Sequence, residues 1–314
     1  MSTYALFGAS GATGATISGA LEAAGLEYRV VGRDRASLER TYGTRPLAEI
    51  ATWNPDDPAS VQAAAAGIDT IFYLVGVPYN HFALHPQLMR ATLNGAIAAG
   101  VRRIVLLTPI YSYGRPQSAS VTESHPRNPE TFKGRMRKEQ EDLVLDAHAA
   151  GRIEGAVLRL PDFYGGDDLK KSLVGDIFVA ASKKRSAMVI GPIDRPHQYA
   201  YVPDIGPLAL ALARDDRAYG RAWNFAGSGT IAQREFATKV FAAAGAGKPK
   251  LIVFNPFMLR IVGLFDPIMR ELAEMNYLQS DPVLLDDSAL RALLPNLHVT
   301  SYDDGIAQTL AAMT

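Results

Sequence analysis

The 314-residue chain has no cysteine. That excludes disulfides, a thiolate nucleophile and cysteine-ligated zinc, and it fits a reducing compartment. It also lacks a charge excess: 32 Lys and Arg balance 32 Asp and Glu. No basic surplus is left to neutralise nucleic-acid phosphates or to hold an anionic membrane, so neither is an expected partner. Long apolar runs are missing as well. The most apolar segments, Ile71–Pro78 and Phe257–Phe265, fall far short of the ~20 residues that span a bilayer. The first residues run straight into a glycine loop with no basic stretch followed by an apolar one, so no secretory leader is read there. The expectation is a cytoplasmic protein acting on a small molecule, with a homodimer left open.

What is present is ordinary globular composition, 48% hydrophobic and 20% charged, arranged as alternating short β-branched runs and helical stretches, the pattern of βαβ units around a parallel sheet. Strands are expected at Tyr4–Phe7, Tyr28–Val31, Leu47–Ile50, Thr70–Val75, Ile104–Thr108 and Gly155–Leu160. Helices are expected at Thr13–Ala24, Ala36–Tyr42, Ala59–Ala66, Gln87–Ala99 and Gly134–Ala149, each with apolar residues three and four apart. The fold class is α/β, a Rossmann-type doubly wound parallel sheet with a smaller mixed α/β C-terminal cap. Residues 1–162 form the dinucleotide-binding part, with 197–227 rejoining it through a strand near Trp223–Ala226; residues 163–196 and 228–314 form the cap.

The strongest chemical signal is Gly8-Ala9-Ser10-Gly11-Ala12-Thr13-Gly14, directly after the first strand and at the start of a helix. Glycines there permit a tight turn and close backbone approach to a pyrophosphate, and the helix N-terminus offers oriented N–H groups to the anion. Gly8, Ser10, Gly11, Ala12, Thr13 and Gly14 are therefore the expected cradle of a dinucleotide. At the end of the second strand stands Arg33, where a carboxylate would bind the ribose 2′-hydroxyl and an arginine suits a 2′-phosphate. NADP(H) is the expected cofactor, with Arg35 assisting and Asp34 as a competing carboxylate.

With these residues in view, the chain resembles the extended or atypical short-chain dehydrogenase/reductases of the NAD(P)-dependent epimerase/dehydratase type. The likeness extends through Arg102–Gly114, Arg159-Leu160-Pro161 with Tyr164-Gly165, and Tyr201-Val202-Pro203-Asp204. It implies that Asn54 lies near the adenine, that Val75 and Gly76 pass along the cofactor, and that Pro161 and Tyr164 border the nicotinamide. The family's active-site pattern is not intact. Its serine position falls on Pro109, after Thr108, and its Tyr-x-x-x-Lys falls on Lys133 and Arg137. Four apart on a helix, these two share a face. Arg137 then takes the ribose and Lys133 the proton transfer, with Tyr111 and Tyr113 as alternative phenolic donors; the bland reading of the same stretch is a solvated helix face. Tyr79 and His81 are expected to wall a substrate pocket. His81 and His85 are four apart but lack the companions of a metal motif, so no metal is expected. Asp204 is read as a helix N-cap, and the Met- and Phe-rich stretch from Pro256 to Tyr277 as core or as a lid.

The reading that follows is an NADPH-dependent reductase of a carbonyl or activated C=C bond in a small apolar molecule. Two alternatives stand beside it: an NAD(P)-dependent sugar-nucleotide epimerase or dehydratase, and a non-catalytic NADP(H)-sensing regulator of the kind represented by nitrogen-metabolite repressor-like proteins.

Overall fold

A computed structural model describes residues 3–166, 169, 172–255, 258 and 274–313. Most of the Pro256–Tyr277 stretch expected as core or lid therefore lies outside the described residues. In chain order the first half comprises β1 (Tyr4–Phe7), α1 (Ala12–Ala23), β2 (Tyr28–Gly32), α2 (Arg35–Tyr42), β3 (Ala48–Thr52), α3 (Pro58–Ala65), β4 (Thr70–Tyr73), α4 (Leu84–Ala98), β5 (Arg103–Pro109), α5 (Phe132–Ala149) and β6 (Glu154–Leu160). There follow β7 (Asp162–Tyr164), α6 (Gly175–Ser182), β8 (Ala187–Ile190), β9 (Pro196–Tyr201), α7 (Val202–Arg214), β10 (Ala222–Asn224), β11 (Thr230–Ala232), α8 (Gln233–Ala243) and β12 (Leu251–Phe254). The C-terminal part carries α9 (Tyr277–Ser280), α10 (Ser288–Leu293) and α11 (Tyr302–Ala311).

Seven parallel strands form the main sheet in the order β10-β6-β5-β4-β1-β2-β3. This is the doubly wound α/β fold, and the strand order reverses between β1 and β4, the place where such sheets bind ligands beyond their carboxyl ends. The strand at Ala222–Asn224 does rejoin the sheet, pairing with β6. Strand side chains alternate between two cores. Tyr4, Leu6, Val105 and Leu107 pack with Ile17, Leu21, Ile205 and Leu208, while Ala5, Phe7, Ile104 and Leu106 pack with Val61, Leu88, Met89 and Val144. Burial on both faces is what a parallel sheet requires. Smaller sheets β11-β9-β7 and β12-β8 lie after β6, with α6, α8 and α11 packed around Tyr164, Phe178 and Phe236.

α1, the helix that opens the glycine loop, is clamped by α7. A Cβ on Gly206 would lie 2.1 Å from the Thr16 carbonyl oxygen. The Thr16 hydroxyl donates to the Pro203 carbonyl at 3.0 Å and accepts the Gly206 N–H at 3.2 Å. Asp204 is not the cap expected from sequence: it lies inside α7 and accepts from the Thr300 N–H and hydroxyl at 2.8 and 2.7 Å. The carboxylate is thus used to hold the C-terminal segment onto α7. Pro86 sits in the first turn of α4, where a missing N–H costs no helical bond.

A buried ionic network braces the other side. Arg159 and Glu141, both essentially inaccessible, meet through Nη2 and Nε at 2.7 and 3.1 Å. Glu141 also accepts from Ser112 at 2.6 Å and from Arg127 at 3.1 Å. Removing one partner of such a network strands the other. Arg159→Met is expected to cost about 3 kcal/mol, read from urea unfolding midpoints, and a loss under about 1 kcal/mol would show that Arg127 and Ser112 satisfy Glu141 alone.

Candidate functional site

The glycine loop has the geometry its spacing implies. Gly8 has φ +88°, and a Cβ there would lie 2.7 Å from the backbone of Val75, just beyond β4. At Gly14 a Cβ would lie 1.9 Å from the Ala9 carbonyl oxygen. Gly11 caps α1 in an extended conformation, and the first turn of α1 carries no acidic side chain. Open N–H groups with no carboxylate beside them fit an anionic diphosphate. These features fit a dinucleotide, whose nicotinamide would supply or accept hydride.

The outer contacts of the expected cradle are less uniform. Arg33 is exposed at the end of β2. Its competitor Asp34 is occupied as the cap of α2, accepting from the Ser37 N–H at 3.2 Å, and Arg35 pairs with Glu39 at 3.2 Å. The Asn54 side chain closes its own turn, accepting the Asp56 N–H at 3.1 Å. Val75 backs Gly8, and Gly76 is exposed beside it.

A cleft of 280 Å³ opens past the ends of β4, β5 and β6, on the side of the sheet's reversal point. Thr13, Thr108, Arg137, Pro161, Tyr79 and Tyr111, all singled out from sequence, line it together. Leu74, Val77, Leu107 and Leu160 add apolar wall, and Phe82, Asp162 and Phe163 were not anticipated. A larger cleft of 370 Å³ beside α7 shares no residue with the glycine loop, and its carboxylate, Asp204, is already spent on Thr300. The smaller one carries the convergent polar groups expected of a functional site.

Arg137 dominates that cleft. Its Nη1 donates to Gln140 at 2.8 Å, its Nε has no partner among the described residues, and the guanidinium lies 5.2 Å from the Phe82 ring centre. Burial pulls its pKa down to about 10, a loss that Tyr111, Tyr73 and Tyr79 oppose. It remains a cation at neutral pH. Tyr111 and Tyr79 share a hydrogen bond between their hydroxyls at 3.1 Å. Burial first, then Tyr79 and Asp162, push the Tyr111 phenol well above its usual value. It is therefore a hydrogen-bond donor and a poor base.

Four expected residues are placed elsewhere. Lys133 is buried at 1% exposure, and its Nζ meets Glu274 at 2.5 Å, so it does not line the cleft as the expected proton donor. It does share a face with Arg137, since both lie over Phe82. The Tyr113 hydroxyl is enclosed by Arg159 at 2.7 Å, Asn224 at 2.8 Å and the Thr122 carbonyl at 3.1 Å, which gives it a structural task. Tyr164 is wholly buried among Phe178, Tyr201, Phe236 and Tyr302 with its hydroxyl on Ser228, so it is core and does not wall a substrate pocket. His81 is exposed in the short turn Tyr79–His81 and does not line the cleft.

The carboxylate that sequence reading missed is Asp162, two positions before Tyr164. Its Oδ2 lies 2.8 Å from Nε2 of His197. Asp162 falls between the quoted Arg159-Leu160-Pro161 and Tyr164-Gly165, and nothing in the spacing joins it to His197. Among the described residues no cluster of His, Asp and Glu suits a metal ion, and no helix is long and apolar enough to cross a membrane.

Residues 8–148 match the model of an NAD(P)H-binding family. The dTDP-6-deoxy-L-talose 4-dehydrogenase (NAD(P)(+)) of Kitasatospora kifunensis is 29% identical over 199 residues, which span 60% of this chain and 59% of that enzyme. Among solved structures, the dTDP-glucose 4,6-dehydratase of Bacillus anthracis in complex with NAD superposes with a TM-score of 0.82 at 11% identity, covering 99% of this chain and 96% of that one. The dTDP-glucose 4,6-dehydratase of Streptomyces venezuelae with NAD and TYD bound gives 0.78 at 16% identity, covering 98% and 96%. The UDP-N-acetylglucosamine 4-epimerase of Bacillus cereus gives 0.78 at 13%, covering 99% and 98%. At these identities the structural matches speak for the fold.

Behind Arg137 the His85 ring is wholly buried, edge-on to Phe82 at 4.6 Å, with neither nitrogen partnered among the described residues. Burial, helped by the Arg137 charge, lowers its pKa to about 2. A histidine held neutral in the folded state and titrating near 6.5 when unfolded destabilises the fold as pH drops below about 6.5, because the unfolded chain then binds the extra proton. The slope approaches about 1.4 kcal/mol per pH unit and levels off only near the folded value. His85→Leu should flatten this acid limb in urea titrations run from pH 7 to pH 4; an unchanged slope would assign it to other groups.

Proposed function

We propose that the chain, which has a Rossmann-type fold and an NAD(P)H-binding module over residues 8–148, is an extended short-chain dehydrogenase/reductase, an NAD(P)-dependent oxidoreductase interconverting a carbinol and a carbonyl on a nucleotide-linked sugar. The observation that carries the reading is the convergence of Thr13, Thr108, Tyr111, Arg137 and Asp162 on one cleft past the ends of β4, β5 and β6. Such a cleft needs an anion-binding turn, a cation for ribose or phosphate, a donor to the reacting oxygen and a proton acceptor. Each has a named candidate here: the Gly8–Gly14 loop, Arg137, Tyr111 and Asp162.

The substrate class rests on the relatives. A deoxysugar-nucleotide 4-dehydrogenase and sugar-nucleotide dehydratases and epimerases weigh it toward a nucleotide-linked hexose and away from the small apolar carbonyl compound suggested by sequence. Simple dehydrogenation is favoured over epimerisation or dehydration because the 29%-identical relative is a 4-dehydrogenase; the Tyr-x-x-x-Lys positions hold Lys133 and Arg137, and Lys133 is held by Glu274. Ground-state binding and orientation then fall to Arg137 and the apolar wall, while the cofactor carries the redox step.

For the cofactor's second phosphate the candidate is Arg33, with Asp34 withdrawn into the cap of α2. NADP(H) is the proposed preference.

Nicotinamide absorbance in the presence of dTDP- and UDP-linked hexoses and their 4-keto forms tests the function, with hydride exchange expected for at least one. Turnover confined to simple aldehydes, ketones or enones would return the substrate to a small apolar compound, and binding without any turnover would favour the regulator. Arg33→Glu should weaken NADPH by about tenfold or more, roughly 1.4 kcal/mol, while sparing NADH; equal loss of both would remove Arg33 from 2′-phosphate recognition.

A further inference from the structure

The redox reading needs a group that takes the hydroxyl proton as hydride departs, and the family's usual phenol is absent. The candidates in or near the cleft are Lys133, Tyr79, Tyr111 and Asp162, and the Tyr79 hydroxyl is engaged with that of Tyr111. Lys133 is bound to Glu274 outside the lining. Tyr111 lines it, but its proton is held tightly by burial and by the neighbouring Asp162 charge. Asp162 lines the cleft as a partly exposed carboxylate, with side-chain accessibility of 28%, whereas His197 behind it has 8%.

We propose that Asp162 is the catalytic acid/base of this enzyme and that His197 is its positioning partner, an inference that rests on the redox function proposed above. The placement follows from strand pairing. β7 runs parallel to β9 with Asp162 opposite Tyr199, so His197, two residues before Tyr199, reaches Asp162 diagonally. The Nε2–Oδ2 distance of 2.8 Å is that of a charge-assisted hydrogen bond. His197 is held from behind by the Tyr199 ring, 4.8 Å away between centres. It lies on a strand gripped on its other edge by β11, where Ile231 is its register partner. One carboxylate oxygen is thus fixed and the other is left to the cleft. The charged and titratable groups around the pair are Arg137, Tyr79 and Tyr111 in and beside the cleft, and Tyr199 on β9.

In the oxidation direction the substrate O–H bond breaks and its proton passes to Asp162. The electron pair of the carbinol C–H bond leaves as hydride to the oxidised nicotinamide dinucleotide, and the C=O bond forms. Reduction reverses each step: the protonated carboxyl gives its proton to the carbonyl oxygen as hydride arrives. Tyr111, kept protonated, donates a hydrogen bond to the same oxygen. His197 never exchanges hydride; it holds Asp162 in one rotamer through Nε2–H.

Single-turnover hydride transfer should be measured in the full-length enzyme and in Asp162→Ala, Asp162→Ala with added formate, His197→Gln and His197→Leu. NAD(P)H fluorescence titration is run on each as a control for folding and cofactor binding. Asp162→Ala should slow hydride transfer by about 100-fold or more while cofactor affinity is kept, and formate should restore part of the loss. His197→Gln, whose amide can still donate, should stay within about threefold of wild type, and His197→Leu should fall by roughly tenfold, a loss of about 1.4 kcal/mol. In parallel, the His197 Nε2–H resonance in nitrogen-15 spectra of the cofactor-free protein should be protected and should lose that protection in Asp162→Ala. Full activity in Asp162→Ala, or equal losses in His197→Gln and His197→Leu, overturns the assignment while leaving the sugar-nucleotide reading intact. Wild-type transfer to simple carbonyl compounds alone sinks that substrate reading while the same variants still decide the pair. A wild type that transfers hydride to no acceptor overturns both.

Discussion

Everything at this site depends on how closely three stretches of backbone approach one another at the end of β1. Gly8 leaves no room for a Cβ against Val75, and Gly14 none against Ala9. On the far side of α1, Gly206 leaves none against Thr16. The last contact binds α1 to α7, which immediately follows β9 in the chain. The helix that presents its N-terminus to an anion is therefore braced by the element that continues from the strand bearing His197. A side chain at any of these glycines would push α1 away from the sheet. The loss would be felt in the cradle first, because N–H groups displaced by an ångström no longer converge on one diphosphate.

The absence of the serine, tyrosine and lysine expected from the resemblance does not leave the cleft without chemistry, but redistributes it. Gly134 shows how. A Cβ there would strike Pro129, the Tyr111 carbonyl oxygen and the Thr131 hydroxyl. The start of α5 is thus pressed onto the turn Ile110–Tyr113, and Thr131 caps the helix by accepting the Gly134 N–H at 3.1 Å. This contact aims Tyr111 into the cleft and Tyr113 away from it, toward Arg159. One turn further along α5, Arg137 reaches the cleft, while Lys133 is drawn to Glu274. The helix face that would carry a tyrosine and a lysine holds a buried ion pair and a cation near aromatic rings instead. A cation in that setting binds and orients; it does not take a proton.

The sequence made legible whatever depends on local order. The glycine spacing and the alternation of strands and helices follow from neighbours in the chain or from strong periodicity. Of the six chosen residues that meet in one cleft, Thr108, Pro161 and Tyr111 stand at or just past strand ends, whereas Arg137 reaches it from the second turn of α5. What escaped depends on contacts between distant segments. Tyr111 and Tyr113 are two residues apart in one short turn, and only packing against α5 and β6 separates a cleft residue from a structural one. Tyr164 follows β6 closely enough to suggest a site, yet the aromatic core around Phe178 and Phe236 claims it. Lys133 meets a carboxylate 141 positions away.

The Asp162–His197 contact is the sharpest case, since it spans 35 residues and rests on strands of three and six residues. Strands that short carry too few alternating positions to reveal their pairing, so the proton-handling pair is invisible until the small sheet is assembled. The same brevity has a mechanical consequence. β7 begins two residues after β6 ends and, among the described strands, is tied on one edge only, by β9. Asp162 is therefore held at the cleft by the large sheet through Leu160 and Pro161, and by the small sheet through His197. A carboxylate anchored by both sheets sits in the one cleft that Thr13 of the glycine loop and Phe163 of the small sheet line together. In a site where a proline stands at the serine position and an ion-paired lysine at the tyrosine position, that junction is where acid/base chemistry has the geometric support to survive.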